Sequence, residues 1–202
     1  MQKIKQSKNL ICKPMKKLIT LLLVLSFIPI YALDIHVAPN GSDSNKGTKS
    51  KPLLTIEAAQ KKLREESFAE AKTAFDDYKA GKYQNSLIEK DHNVKVAIVN
   101  TSKGELPKYE DAVSVNYYGF FDDGKSFDSS FKVGKPYSFV LGRGSVIQGW
   151  DIGIPSVAKG ATAIIDIPYP MAYGKAGSSA IPPRSNLFFW VKVEDIQKPT
   201  IK

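Results

Sequence analysis

The sequence predicts an α+β domain in which an antiparallel sheet wraps around one short helix. Three observations carry that expectation. From Val94 onward the apolar residues recur with a period of two, in five separate runs. Between the third and fourth runs lies one short segment, Val146–Ile154, whose Val146, Trp150 and Ile154 share a helical face. Ahead of all of them stand a basic, apolar leader and a separate stretch of helical periodicity. Several strands over one helix bury a single core in two layers.

The strands are read as follows. Val94, Val96 and Ile98 alternate with Lys95, Ala97 and Val99. Val113, Val115 and Tyr117 alternate with Ser114, Asn116 and Tyr118. Tyr137, Phe139 and Leu141 form a third strand, and Ala161–Ile167 a fourth. Leu187, Phe189, Val191 and Val193 face one way, with Phe188, Trp190, Lys192 and Glu194 opposite. Each is expected to have one well-packed face.

The leader reads as a secretory signal peptide over residues 1–32. Lys16 and Lys17 precede Leu18–Ala32, an apolar run too short to span a bilayer comfortably and ended by a small residue. Cleavage is expected after Ala32, with an uncleaved anchor as the alternative. Met15 begins a complete signal by itself, so either Met1 or Met15 serves as the start. Membrane contact is expected only through this segment before cleavage, and the mature protein is expected to be exported, to the periplasm or beyond the cell.

Charge agrees with that division. The chain has 202 residues and a net charge of +9, yet six of its 29 basic residues lie ahead of Asp34, where there is no acid, leaving 23 against 20 acidic residues. No basic cluster remains to grip phosphates, so nucleic acid is not an expected partner. The lone Cys12 excludes an internal disulfide, and two isolated histidines, His36 and His92, argue against a zinc site or a nucleophile–histidine pair.

Residues 33–54 change character. Asp34-Ile35-His36-Val37-Ala38-Pro39-Asn40-Gly41-Ser42-Asp43-Ser44-Asn45-Lys46-Gly47-Thr48 is a short apolar strand candidate followed by a loop of turn residues. Residues 33–66 resemble the opening of secreted right-handed β-helix proteins, polysaccharide lyases among them. The repeated coils such a solenoid needs do not follow, so no lyase activity is implied. Residues 55–82 read as an amphipathic helix with Thr55 as N-cap and Gly81 as stop. Ile56, Ala59 and Leu63 share one face; Phe68, Ala71, Phe75 and Tyr78 continue a stripe. The stripe must be buried, against the neighbouring domain, in a homodimer, or on a client. Residues 83–93 read as a linker, and 94–197 as the main domain.

Six blocks in that domain resemble the FKBP-type peptidyl-prolyl cis-trans isomerases. They are Val115-Asn116-Tyr117-Tyr118-Gly119, the turn Asp123-Gly124-Lys125-Ser126-Phe127-Asp128-Ser129-Ser130, Pro136–Gly142, Val146–Gly153, Ala172-Tyr173-Gly174, and Ile181–Phe189. They occur in family order over about a hundred residues. The resemblance implies a fold of this class and an isomerase whose clients are proline-containing polypeptides, with macrolides as inhibitors.

The chemistry suits the residues. Rotating an amide crosses about 18–20 kcal/mol of partial double-bond character, and X-Pro exchange is slow enough to limit folding. No bond breaks, so the mechanism calls for no nucleophile, metal or cofactor. The twisted amide is less polar than the planar one, and a dry aromatic pocket favours it. By resemblance, Trp150 forms the pocket floor. Tyr117, Phe127, Tyr137, Phe139, Val146, Ile147 and Phe189 line its walls. Tyr173 offers a hydroxyl to a substrate carbonyl, Ile181 contacts substrate from the overhanging loop, and Asp128 is a polar group at the edge, near Tyr117, with no proton to move. Three departures stand out: Tyr118 where a small residue is common, Tyr137 where phenylalanine is frequent, and a shortened loop Lys175–Ala180.

Overall fold

The computed structural model describes residues 35–199. The signal-peptide reading of residues 1–32 lies outside the described residues. The described chain falls into two compact units, residues 35–59 and 60–199.

The first unit is held by a few backbone contacts around Leu53. Val37 and Leu53 form a parallel bridge, with Ala38 N–H donating to the Leu53 carbonyl (2.9 Å) and Leu53 N–H to that of His36 (2.8 Å). Ile35 and Leu53 are buried. The Asp43 carboxylate accepts from the amides of Leu54 and Thr55 and from the Thr55 hydroxyl. Thr55 Oγ1 in turn accepts from Ala58 N–H at 3.1 Å, which is the expected N-cap of helix α1, Ile56–Lys79.

The second unit is built on a seven-stranded antiparallel sheet. Its strands are β1 (Leu87–Glu89), β2 (Lys95–Asn100), β3 (Ala112–Phe120), β4 (Ser126–Ser129), β5 (Tyr137–Val140), β6 (Thr162–Ile167) and β7 (Leu187–Gln197). The order is β1-β2-β6-β7-β3-β4, with β5 also paired to β3. The short helix α2, Gln148–Gly153, continues as a 3-10 turn through Ser156. It lies on the inner face, where Trp150 and Ile154 join Val113, Val115, Ile165 and Val191 in one buried cluster. Two glycines permit that closeness: a Cβ on Gly149 would sit 2.3 Å from Ile167, and one on Gly153 would sit 2.7 Å from Ile165.

Two stretches differ from the sequence reading. The expected linker 83–93 contains β1, which pairs with β2 through Leu87↔Ala97 to Glu89↔Lys95. Three residues are too few for an alternation to show. Likewise Ser126–Ser129, read as part of a turn, pairs as β4 with β3.

The outer face of the sheet is also packed, where one packed face was expected. Ala97, Tyr118, Phe120, Ile164, Phe188 and Trp190 are buried together with Ala71, Ala74 and Phe75 of α1. Phe75 stacks on Phe120 at 5.2 Å and meets Phe188 edge-on at 5.5 Å. Tyr78 OH donates to Asp166 Oδ2 at 2.8 Å, tying α1 to β6. Of the three fates open to the apolar stripe, its C-terminal half takes packing on the neighbouring sheet. Tyr118 is explained by the same cover. Its ring stacks on Phe131 at 5.0 Å and its hydroxyl donates to the Arg64 carbonyl at 3.0 Å.

Phe75→Ala should therefore destabilise the protein by about 3–5 kcal/mol, the usual loss for a buried aromatic. Ile56→Ser, at a half-exposed position, should change stability by no more than about 0.5 kcal/mol. Urea unfolding midpoints of the two variants check both values.

Candidate active site

Where β3, β5 and β7 diverge from α2, the inner core opens into a cavity of about 440 Å³. Trp150 is buried at 4% exposure and is ringed by aromatics. Tyr117 and Phe189 meet it edge-on at 5.1 and 5.3 Å, Phe139 is at 5.6 Å and Tyr137 at 6.3 Å. Its indole N–H has no hydrogen-bond partner among the described residues. Period two places Tyr117 on the same side of β3 as the buried Val113 and Val115, and β7 carries Phe189 beside it (6.1 Å).

Nine of the eleven residues proposed from the sequence line this cavity: Tyr117, Phe127, Asp128, Tyr137, Val146, Ile147, Trp150, Tyr173 and Phe189. Phe139 stands behind them, buried against Trp150 and stacked on Tyr137 at 5.9 Å. Ile181 stands outside the lining. It is 4% exposed and belongs to the inner core cluster. Its bridge to Ser178 closes the shortened loop on itself.

The polar groups sit at the rim. Tyr117 OH donates to Asp128 Oδ2 at 2.6 Å, and Lys132 Nζ lies 3.6 Å from Asp128 Oδ1. Burial pushes the Tyr117 hydroxyl far above its ordinary pKa, and the hydrogen bond and charge of Asp128 add to the rise. The Tyr173 hydroxyl is raised too, by burial and then by Asp128 and Tyr137. Both remain hydrogen-bond donors through neutral pH.

Sequence reasoning missed two kinds of residue. Gly144 and Ser145 also line the cavity. The Gly142-Arg143-Gly144 spacing was their signal: both glycines adopt positive φ (79° and 66°), and Gly142 N–H donates to Asp151 of α2 at 2.8 Å. The second kind is a polar chain behind Tyr117. Its backbone N–H donates to Ser130 Oγ (3.1 Å), and Ser130 donates to Asn116 Oδ1 (3.0 Å). Asn116 Nδ2 donates to Glu194 (2.9 Å), whose carboxylate lies 3.2 Å from Lys192 Nζ. Charged residues at alternate positions of an apolar strand hinted at it.

Fold and cavity together give an antiparallel sheet over one short helix with an aromatic well between them, hydroxyl donors and one carboxylate at its mouth. Residues 103–194 match the family described as FKBP-type peptidyl-prolyl cis-trans isomerase. The chain is 42% identical over 103 residues to FK506-binding protein 1 of Saccharomyces cerevisiae, covering 50% of this chain and 90% of that protein. It is 37% identical over 169 residues to the FKBP-type peptidyl-prolyl cis-trans isomerase FkpA of Escherichia coli, covering 80% of this chain and 62% of that one. The crystal structure of FkpA superposes with a TM-score of 0.53 at 32% identity, over 74% of this chain and 76% of that one. That of AtFKBP13 gives 0.51 at 30%, over 55% and 98%. The chain belongs to the FKBP-type peptidyl-prolyl cis-trans isomerase family.

The raised tyrosines make a pH prediction. A hydroxyl whose pKa is higher in the fold than in the unfolded chain stabilises fully below about pH 10, the ordinary tyrosine value, and that stability is lost as pH rises beyond it. Tyr78 is raised in the same way, by burial and then by Asp166. Urea midpoints should fall as pH rises above about 10, and fall less steeply in Tyr117→Phe and in Tyr78→Phe.

Proposed function

We propose that this chain accelerates cis-trans rotation of X-Pro bonds in proline-containing polypeptides exported with it, with the prolyl ring seated on Trp150. The observation that carries the reading is the well itself: an indole floor, aromatic walls and polar groups confined to the rim. Family membership supports the same activity. The chain spans about 62% of the length of the E. coli relative, so activity, clients and location are inferred for this chain in its own right.

The reaction needs only differential binding. When the amide twists, the nitrogen lone pair leaves conjugation and the carbonyl oxygen loses negative charge. Walls formed by Phe127, Tyr137, Val146, Ile147 and Phe189 exclude water that would solvate the planar, more polar form. Phe139 supports Tyr137 and Trp150 from behind. Tyr173 donates its hydroxyl to a substrate carbonyl and holds the chain in register. Asp128, oriented by Tyr117, sets a negative potential at the edge; beside the amide oxygen it disfavours the charge that planarity places there. Ile181 acts by packing under the loop above the well.

Export rests on the basic-then-apolar order of Lys16–Ala32. Macrolide binding follows from relatives named for FK506 binding, and the short 175–180 loop is the element expected to alter its strength.

The test is the cis-to-trans rate of a Leu-Pro or Phe-Pro peptide with the chain from Leu33 to Lys202. Acceleration is expected. It should fall about tenfold in Asp128→Ala, equivalent to about 1.4 kcal/mol, and further in Trp150→Ala, with folding checked by circular dichroism. A folded protein giving no acceleration would overturn the proposal.

A further inference from the structure

The well opens sideways onto a second hollow. A groove of about 700 Å³ shares Tyr137 and Ser145 with the well and runs along β5 between Arg143 and Lys198. Its wall is a strand edge. β5 pairs with β3 and with no other strand among the described residues. Leu141, just beyond it, donates its N–H to Asp111 and accepts from Glu110, so its polar groups face the β3 side. Strand polar groups alternate sides. Phe139 therefore faces β3 as well, while Ser138 and Val140 turn their N–H and C=O outward. Ser138 is exposed, Val140 is 38% exposed and Tyr137 44%.

Such an edge is a template for another strand, and recognition by strand addition takes its affinity from the main chain. The groove's charges are already engaged. Arg143 pairs with Glu110 at 2.9 Å, and Lys198 with Asp111 and Glu105, each at 3.0 Å. What remains unpartnered is backbone and apolar surface. A polypeptide with its prolyl ring on Trp150 and leaving the well past Tyr137 and Ser145 enters this groove directly.

We propose that the β5 edge is an extended subsite of the isomerase. It takes the residues on one side of the client proline as an added strand, uncharged and with apolar side chains at alternate positions. This rests on the reading of the well as the prolyl site. Four residues of β5 span about 13 Å at about 3.3 Å per residue, room for a client segment of equal length. Two outward residues offer donors and acceptors indifferent to client sequence, which suits an enzyme acting on many unfolded chains.

The experiment compares, on the full chain, a four-residue prolyl peptide with versions lengthened by four alternating Ser/Val residues at either end. Lengthening at one end should raise kcat/KM about tenfold, the yield of two or three net hydrogen bonds. N-methylation of alternate amides in the added segment should abolish the gain. In Val140→Pro, which removes an outward N–H on an edge where proline is tolerated, the ratio of long to short peptide should fall to one. N-methylated peptides on the unaltered protein carry the test alone if that variant does not fold. Equal kcat/KM for short and lengthened peptides would overturn the subsite and leave the isomerase intact. Absence of acceleration with any peptide would overturn both. Concentration-dependent self-association that vanishes in Val140→Pro, with no length effect, would assign the edge to a second copy and overturn the client role.

Discussion

The 60–199 unit depends on the antiparallel pairing of β3 with β7, which runs from Ala112↔Gln197 to Phe120↔Phe188. Both strands are buried on their two faces along most of their length. A slip of one residue would exchange the faces. A slip of β3 would take Tyr117 out of the well and drive Tyr118 onto α2; a slip of β7 would take Phe189 out and drive Phe188 and Trp190 in. The pairing therefore sets the aromatic well and the seat for α1 in one step. The register shift between Ser114 and Val115 falls before Tyr117, so the pairing from Val115↔Val193 to Phe120↔Phe188 runs without interruption.

That arrangement also explains how an open apolar well persists in a packed domain. A cavity lined by aliphatic side chains tends to lose its shape through rotamer changes, whereas rings have few torsions. Here each wall ring is braced edge-on by another: Tyr117 against Trp150, Phe127 against Phe189, and Phe189 against Trp150. Edge-to-face contacts fix ring orientation as well as distance. The backing residues, Phe139 and the α2 glycines, leave Trp150 no space to retreat into. The site is preorganised by its own walls, which is what catalysis by differential binding requires.

Much of this was legible in the sequence, and unevenly so. Alternation marks Val113–Tyr117 and Leu187–Val193 because each strand is long enough to show its period, and the well residues follow from the blocks that contain them. β1 escaped because three residues carry no period, and β4 because Ser126, Asp128 and Ser129 are turn-forming types that hide its pairing. The packed outer face escaped for a different reason. Phe188, Trp190 and Tyr118 were visible as apolar residues on the wrong side, but only tertiary contact with a helix more than forty residues earlier makes that side an interior. Ile181 lies in the inner core cluster beneath the loop, and position in a motif does not tell a lining residue from one packed just behind the lining.

The polar chain behind Tyr117 is the feature that neither patterning nor packing requires. Lys192 is 4% exposed, and burying an ammonium with its carboxylate partner is often no better for stability than burying two hydrocarbons. Its position gives it another use. β7 delivers Lys192 and Glu194 beside Asn116 on β3, and Asn116 through Ser130 reaches the Tyr117 amide. From the other side, burial raises the Glu70 carboxyl of α1 above the usual carboxylate range, while the Lys192 ammonium draws it back down. A purely apolar contact fixes the β3 backbone less closely than directional bonds do. A chain of directional hydrogen bonds holds its backbone at the residue that orients Asp128. The ion pair is thus better understood as a register pin for the β3 backbone at Tyr117 than as a source of stability.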